Sequence, residues 1–529
     1  MSTGLSHLLS HAARRFGVAS VAALVSVLGA SCSLIVDVPA DCEDSRCAPY
    51  RCDTENIACA SSCTNDTECA TGFLCNGTTG VCEDTGCVLA NDTTRIDLPD
   101  SVVEFELAAA APFDAPDQLL MMVSNRNGLG FRRFRLDGSS VNDPLDDDLD
   151  LVRVVAGNDN RRRFYPTPHF LERTETTSAG STPRFVYGLV DVSGDQDRVG
   201  LGTFIIDPAT SPRVDVLWEA ARRRELLFGS STVVEESVVL TFSEQTASDA
   251  TVYAIVTDLD GTPGEPMALS TGTAFAEQSV VSGVSGIPVV VFESSVSGER
   301  RIEARPLLAD ELGGTGVLVD SRDAQRVEIE QLQAVSLGEE AVFVWVTASD
   351  DSTRLERAIF DTETVGQLTP QSTVALPIDE ILSDFGEVRG LQVLADLDCA
   401  GCDSSAECVT PTACRDGVCT AGGTSCETDD ACDAGLVCLD GGCAAPLACD
   451  RTGYAVATIA TYRGRRGLWL QRFTANHERD GTPLPLLIDG VEEIDRFRVA
   501  STREGWAVAW DVDAGQTEEV YYRRFTCGG

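Results

Sequence analysis

Three features predict an all-β chain. Short apolar runs recur about every 50 residues, no long stretch shows helical periodicity, and two cysteine clusters share one spacing. The runs begin at Gln118, Arg184, Ser237, Ile287, Glu340, Tyr454 and Trp506, at intervals of 66, 53, 50, 53, 114 and 52 residues. The long interval holds the cysteine-rich stretch 399–449, whose 51 residues leave 63 when removed. Such a period with four short strands per unit predicts a β-propeller. Runs such as 342–346 (VFVWV) and 288–292 (PVVVF) are apolar at every position, so both faces of those strands must be covered. Seven first strands follow, at 103–110, 168–172, 226–231, 275–281, 328–335, 388–396 and 496–501. The fold class expected is all-β: a seven-bladed β-propeller with disulfide-rich small modules at the N-terminus and inserted in blade six. The last blade lacks an outer strand before Gly529, and 94–100 (TRIDLPD) is placed to supply it, which would bring Cys87 near Cys527.

The N-terminal residues read as a leader. Arg14 and Arg15 form a basic region, 17–28 an apolar one too short for a comfortable membrane span, and Gly29, Ala30 and Ser31 precede Cys32. This pattern resembles the lipobox of bacterial lipoproteins, which implies lipidation at Cys32, although Leu28 stands four positions before the cysteine rather than three. An ordinary secretory signal is the alternative, and Arg14-Arg15-Phe16 also reads as a twin-arginine signal. Either route exports the chain and lets its thiols oxidise. The organisation expected is a signal peptide over 1–31, a lipid-anchored tether over 32–41, and cysteine-rich repeats over 42–87. The propeller follows over 88–398 and 450–529, with inserted repeats over 399–449. The location implied is the outer membrane or cell surface, or the periplasm or exterior if Cys32 is not lipidated.

Of 21 cysteines, 20 remain if Cys32 carries lipid. Cys63, Cys69, Cys75 and Cys82 have gaps of five, five and six residues. Cys402, Cys408, Cys414 and Cys419 have five, five and four, and Cys426, Cys432, Cys438 and Cys443 repeat that. Cys42, Cys47, Cys52 and Cys59, at four, four and six, form a compressed copy. These units resemble the Dickkopf amino-terminal type of cysteine-rich repeat, also seen in exported proteins of myxobacteria. The gaps do not suit paired C-x-x-C zinc knuckles, and Cys399-Ala-Gly-Cys402 sits in no βαβ context. Pairing inside each unit stays open; first-to-third with second-to-fourth is one arrangement. Four cysteines are left over. Nine upstream cysteines are odd in number, so at least one crosses to the downstream half. Cys87–Cys527 and Cys399–Cys449 are the expected bridges.

All 40 basic residues are arginine, which excludes Walker-type phosphate loops and lysine Schiff-base chemistry. A net charge of −43 argues against nucleic acid as a partner. Outside the leader only His169 and His477 remain, so neither a histidine metal site nor a catalytic triad is expected. No sialidase Asp-box, kelch double glycine, regular WD repeat or repeated D-x-D-x-D-G loop occurs. The acidic run 142–150 (NDPLDDDLD) and the turn 191–197 read as solvated loops ahead of calcium sites. Arg132, Arg133, Arg472, Arg523 and Arg524 stand beside aromatic residues in third strands and read as packing and ion-pair groups. Trp510-Asp511 is a lone Trp-Asp pair. The function expected is a non-catalytic binding, adhesion or scaffold lipoprotein. It would contact protein or carbohydrate, hold no cofactor or metal, and touch a membrane only through its lipid. The alternative is an extracellular propeller hydrolase or lyase of polysaccharide that works through Asp/Glu acid–base chemistry.

Overall fold

A computed structural model describes most of residues 48–527. The intervals it leaves undescribed are 1–47, 110–117, 136–151, 157–166, 172–183, 206–212, 271–277, 308–316, 369–376, 400–411 and 426–436, with shorter gaps between them. The lipidation candidate Cys32, the acidic run 142–150 and Cys42, Cys47, Cys402, Cys408, Cys426 and Cys432 lie outside the described residues.

The chain divides into two compact units, Met1–Asp84 and Thr85–Gly529. In the first, a hairpin pairs Phe73–Asn76 with Val81–Asp84, and Cys52–Asp53 pairs with Ala58–Cys59. Its described core is sulfur: Cys63, Cys69, Cys75 and Cys82 are buried, with Tyr50 and Phe73 packed on them. Bonds Cys63–Cys75 and Cys69–Cys82 staple a segment that has almost no other apolar residue to bury.

Among the described residues of the second unit, seven antiparallel meanders follow one another. Their first strands are β1 (Val102–Ala109), β2 (Thr167–Leu171), β3 (Glu225–Val234), β4 (Ser279–Val284), β5 (Val327–Ser336), β6 (Phe385–Cys399) and β7 (Ile494–Thr502). In the first six sheets three more strands follow in sequence order. The seventh has Gly505–Asp513 and Glu518–Cys527, and then takes its outer strands from Cys87–Leu89 and Thr94–Ile96. Second strands are the most deeply covered: Ala341–Ser349 has seven successive buried residues, as does Ser237–Gln245 between its ends. That is why apolar residues run through them without alternation. Each first strand lies beside the next, from β1 to β7, and β7 lies beside β1.

Side chains stitch these first strands together. Ser230 Oγ accepts from Val281 N–H (2.8 Å), and Gln278 Oε1 from Leu332 N–H (2.7 Å). Gln392 accepts from Val499 N–H (2.6 Å) and donates to Val499 C=O (2.9 Å). The sixth sheet is interrupted: its first two strands run on to Cys399 and Cys449, which face one another in register. Between them lies a further sheet built of Thr412–Arg415, Val418–Ser425, Gly442–Ala444 and Val437–Leu439.

Candidate active site

The first strands do not run straight. Register slips between Phe228 and Ser231 in β3, Glu330 and Leu332 in β5, Arg389 and Leu391 in β6, and Ile494 and Phe497 in β7. Each slip is a β-bulge, which bends the strand and re-aims a side chain. Gln331 and Gly390, inside two of them, adopt φ of 44° and 68°. Three bulges are held from the second strand by a polar side chain buried opposite. Thr241 Oγ1 accepts from Ser230 N–H (3.0 Å), Thr458 Oγ1 donates to Gly390 C=O (2.8 Å), and Asp511 Oδ1 accepts from Arg496 N–H (2.7 Å).

The bulges of β5, β6 and β7 surround one cavity of about 290 Å³. Its polar lining is Glu330, Gln331, Arg389, Arg496 and Arg498, and Phe497 and Ile459 form part of its apolar wall. Gly390 is required there twice. Its φ is left-handed, and a Cβ would lie 2.7 Å from the Phe497 ring. Arg496 is set rigidly: Asp511 Oδ2 takes Nε at 2.9 Å and Nη2 at 2.6 Å, and the Asp511 side chain is only 1% exposed. Arg498 Nη1 donates to Phe497 C=O at 2.8 Å. Among the described lining residues are thus three arginines and one carboxylate, with Asp511 balancing one cation from behind. In a chain of net charge −43 this is a local basic patch suited to an anionic ligand.

A second polar cluster lies between the fifth and sixth sheets. Buried Arg357 donates to Tyr454 Oη (2.6 Å), His477 C=O (2.9 Å) and Asp379 (3.1 Å). His477 Nε2 lies 2.9 Å from Glu340. Burial pushes the Tyr454 hydroxyl above its ordinary range, against the lowering effect of Arg357. With Tyr454 fully buried, this cluster is a structural brace.

Cys87 and Cys527, opposite one another in register, are joined by a disulfide. Cys59 is also disulfide-bonded, and Cys52 stands opposite it. Cys414 faces Cys419 and Cys438 faces Cys443, as Cys75 faces Cys82 in the stapled module. Cys63, Cys69 and Cys75 converge as metal-ligand types, but their sulfurs are in disulfides and offer no thiolates. Arg472 pairs with Asp396 at 2.8 Å, and Arg523 donates to Thr93 and lies over the Trp510 ring. Arg132 and Arg133 are on Gly128–Arg135, and His169 is on β2 opposite Val186. None of these lines the cavity.

No protein-family model matches the chain, and no curated protein matches it. Solved structures do. A Trypanosoma rangeli sialidase in complex with sialic acid is 9% identical over 83% of this chain, with a TM-score of 0.37. This chain spans 60% of that enzyme's length. A NanB sialidase variant from Streptococcus pneumoniae is 8% identical, covering 76% of this chain and 83% of its own, with a TM-score of 0.36. GH43B of a Bacteroides ovatus xyloglucan locus is 10% identical, covering 83% and 97%, with a TM-score of 0.28. At these values the likeness transfers no residue role.

The expectation of a non-catalytic chain runs against the names of these structures, which are sialidases and a GH43 protein, though their likeness gives this chain no activity. It had rested on finding no motif around any carboxylate. A residue brought to a cavity by a bulge has no motif: Glu330, Arg389 and Arg496 lie 59 and 107 residues apart and meet only through the packing of β5, β6 and β7. The one local signal was Trp510-Asp511, since a carboxylate inside an otherwise apolar second strand demands a partner.

Proposed function

We propose that the chain is an exported enzyme that cleaves acidic polysaccharide at the cavity between β5, β6 and β7. The observation that carries this is that Arg389, Arg496 and Arg498 line one cavity with Glu330, the single lining carboxylate among the described residues. Guanidinium forks match the planar carboxylate of a uronic acid unit, and Glu330 supplies the acid–base group. In a hydrolytic reaction Glu330 protonates the leaving glycosidic oxygen as the C–O bond breaks, water adds at the sugar carbon, and the proton that this water sheds passes through solvent to restore the Glu330 carboxyl. In an eliminative one the arginines neutralise the substrate carboxylate. Glu330 then takes the adjacent carbon-bound proton and returns it to the leaving oxygen as the C–O bond breaks and a C=C bond forms. The seven sheets act as blades of a closed propeller, a reading supported by the unbroken neighbour order of β1 to β7 and back to β1. A lipid anchor at Cys32 holds the exported chain at a membrane, and an oxidising location agrees with the disulfides of the described residues.

The test is incubation of the full mature chain with polygalacturonate, alginate and a neutral glucan, following new reducing ends and the ultraviolet absorbance of unsaturated product. Cleavage of an acidic polymer but not the glucan is expected, with Glu330→Gln slower by about a hundredfold or more. Absence of reducing ends from both acidic polymers, or an undiminished Glu330→Gln variant, would refute it. The absorbance separates elimination from hydrolysis.

A further inference from the structure

We infer that Asp511 is a positioning residue for anion recognition, presetting Arg496 in the cavity; this deepens, and rests on, the proposal that the cavity takes acidic sugar units. Three sheets place a polar side chain opposite the first-strand bulge, and in two of them a threonine hydroxyl suffices: Thr241 holds Ser230, and Thr458 holds Gly390. The seventh sheet has a carboxylate at that place and an arginine in the bulge. Asp511 performs the shared task with Oδ1, accepting from the Arg496 backbone N–H at 2.7 Å. Its second oxygen does what no threonine in the set does, gripping Nε and Nη2 at 2.9 and 2.6 Å.

Holding a bulge needs only the first of these contacts. A fully buried carboxylate is costly unless its charge is used, and here it is spent on the orientation of one guanidinium that lines the cavity. A guanidinium fixed before the ligand arrives loses little rotamer freedom on binding, which sharpens selection of a carboxylate over a hydroxyl at the same place. The ligand class is a carboxylated sugar, for which Arg496, Arg389 and Arg498 are the cationic lining residues.

The experiment titrates the full mature chain with a galacturonate trisaccharide and its neutral galactose counterpart by calorimetry, and records melting curves. Asp511→Thr installs the residue that the other sheets use. The melting midpoint should fall by only about 2–4 °C, while affinity for the acidic trisaccharide drops by about tenfold to a hundredfold and neutral binding is unmoved. Asp511→Asn, closer in shape, carries the same expectation if the threonine variant does not fold. Wild-type affinity for the acidic ligand in a folded variant overturns the positioning role alone. A wild-type chain with no preference for the acidic trisaccharide overturns both this role and the cavity's assignment. An equal loss of acidic and neutral binding also overturns it, because a merely structural residue behaves that way.

Discussion

Gly390 shows how much the cavity depends on one backbone position. It sits in a bulge at φ 68°, donates no side chain, and leaves the space that the Phe497 ring fills. Its carbonyl is held by Thr458, so the chain cannot relax by flattening the bulge without losing that bond. Gly390→Ala combines a left-handed alanine with a ring collision, and should destabilise by about 1–3 kcal/mol. The ring would be pushed into the cavity, so affinity for an acidic oligosaccharide should fall with stability. Chemical denaturation and ligand titration on one preparation check both, and an unchanged midpoint would show that the bulge is softer than its contacts suggest.

Strands in this fold differ by position within their sheet. Second strands are mostly apolar because sheets cover both faces, with buried Thr241, Thr458 and Asp511 among the exceptions, whereas first strands carry polar residues at the bulges. The seventh sheet is completed from far away in sequence. Leu89 and Val88 pair with Phe525 and Thr526, Ile96 pairs with Val520, and Cys87–Cys527 locks the end. A bond closing 440 residues constrains the unfolded chain strongly. Replacing both Cys87 and Cys527 with serine should cost about 2–5 kcal/mol. Loss should begin locally, so hydrogen exchange at 87–96 and 518–527 should rise ahead of exchange in Ala341–Ser349. Uniform acceleration across all sheets would show that the seam has no independence.

At the scale of the whole molecule, the sheet inserted after Cys399 is a decoration on a strand pair that is already complete. Cys399 and Cys449 are register partners, so a short Gly-rich turn in place of 400–448 would close an ordinary hairpin. The cavity lies at Arg389 and Gly390, further down the same strand. Such a deletion should therefore leave the melting midpoint of the remainder and its affinity for acidic oligosaccharide nearly unchanged. Calorimetry and titration check this; loss of either would make the insert part of the folded core or of the site.

Strand periodicity was legible because burial of both faces writes itself directly into composition. The runs beginning at Ser237, Ile287, Glu340 and Trp506 are the second strands of their sheets or overlap them closely. The place of the cysteine-rich insert was legible for the same reason, as an interruption of that period. The candidate site was not. Glu330, Arg389, Arg496 and Arg498 stand in no motif, and the sequence by itself could mark Asp511 only as half of a lone Trp-Asp pair. Apolar burial repeats along the chain at fixed intervals, so one sequence suffices to see it. A cavity is made where bulges on three different strands meet, and the side chains that share it are neighbours only after β5, β6 and β7 have packed.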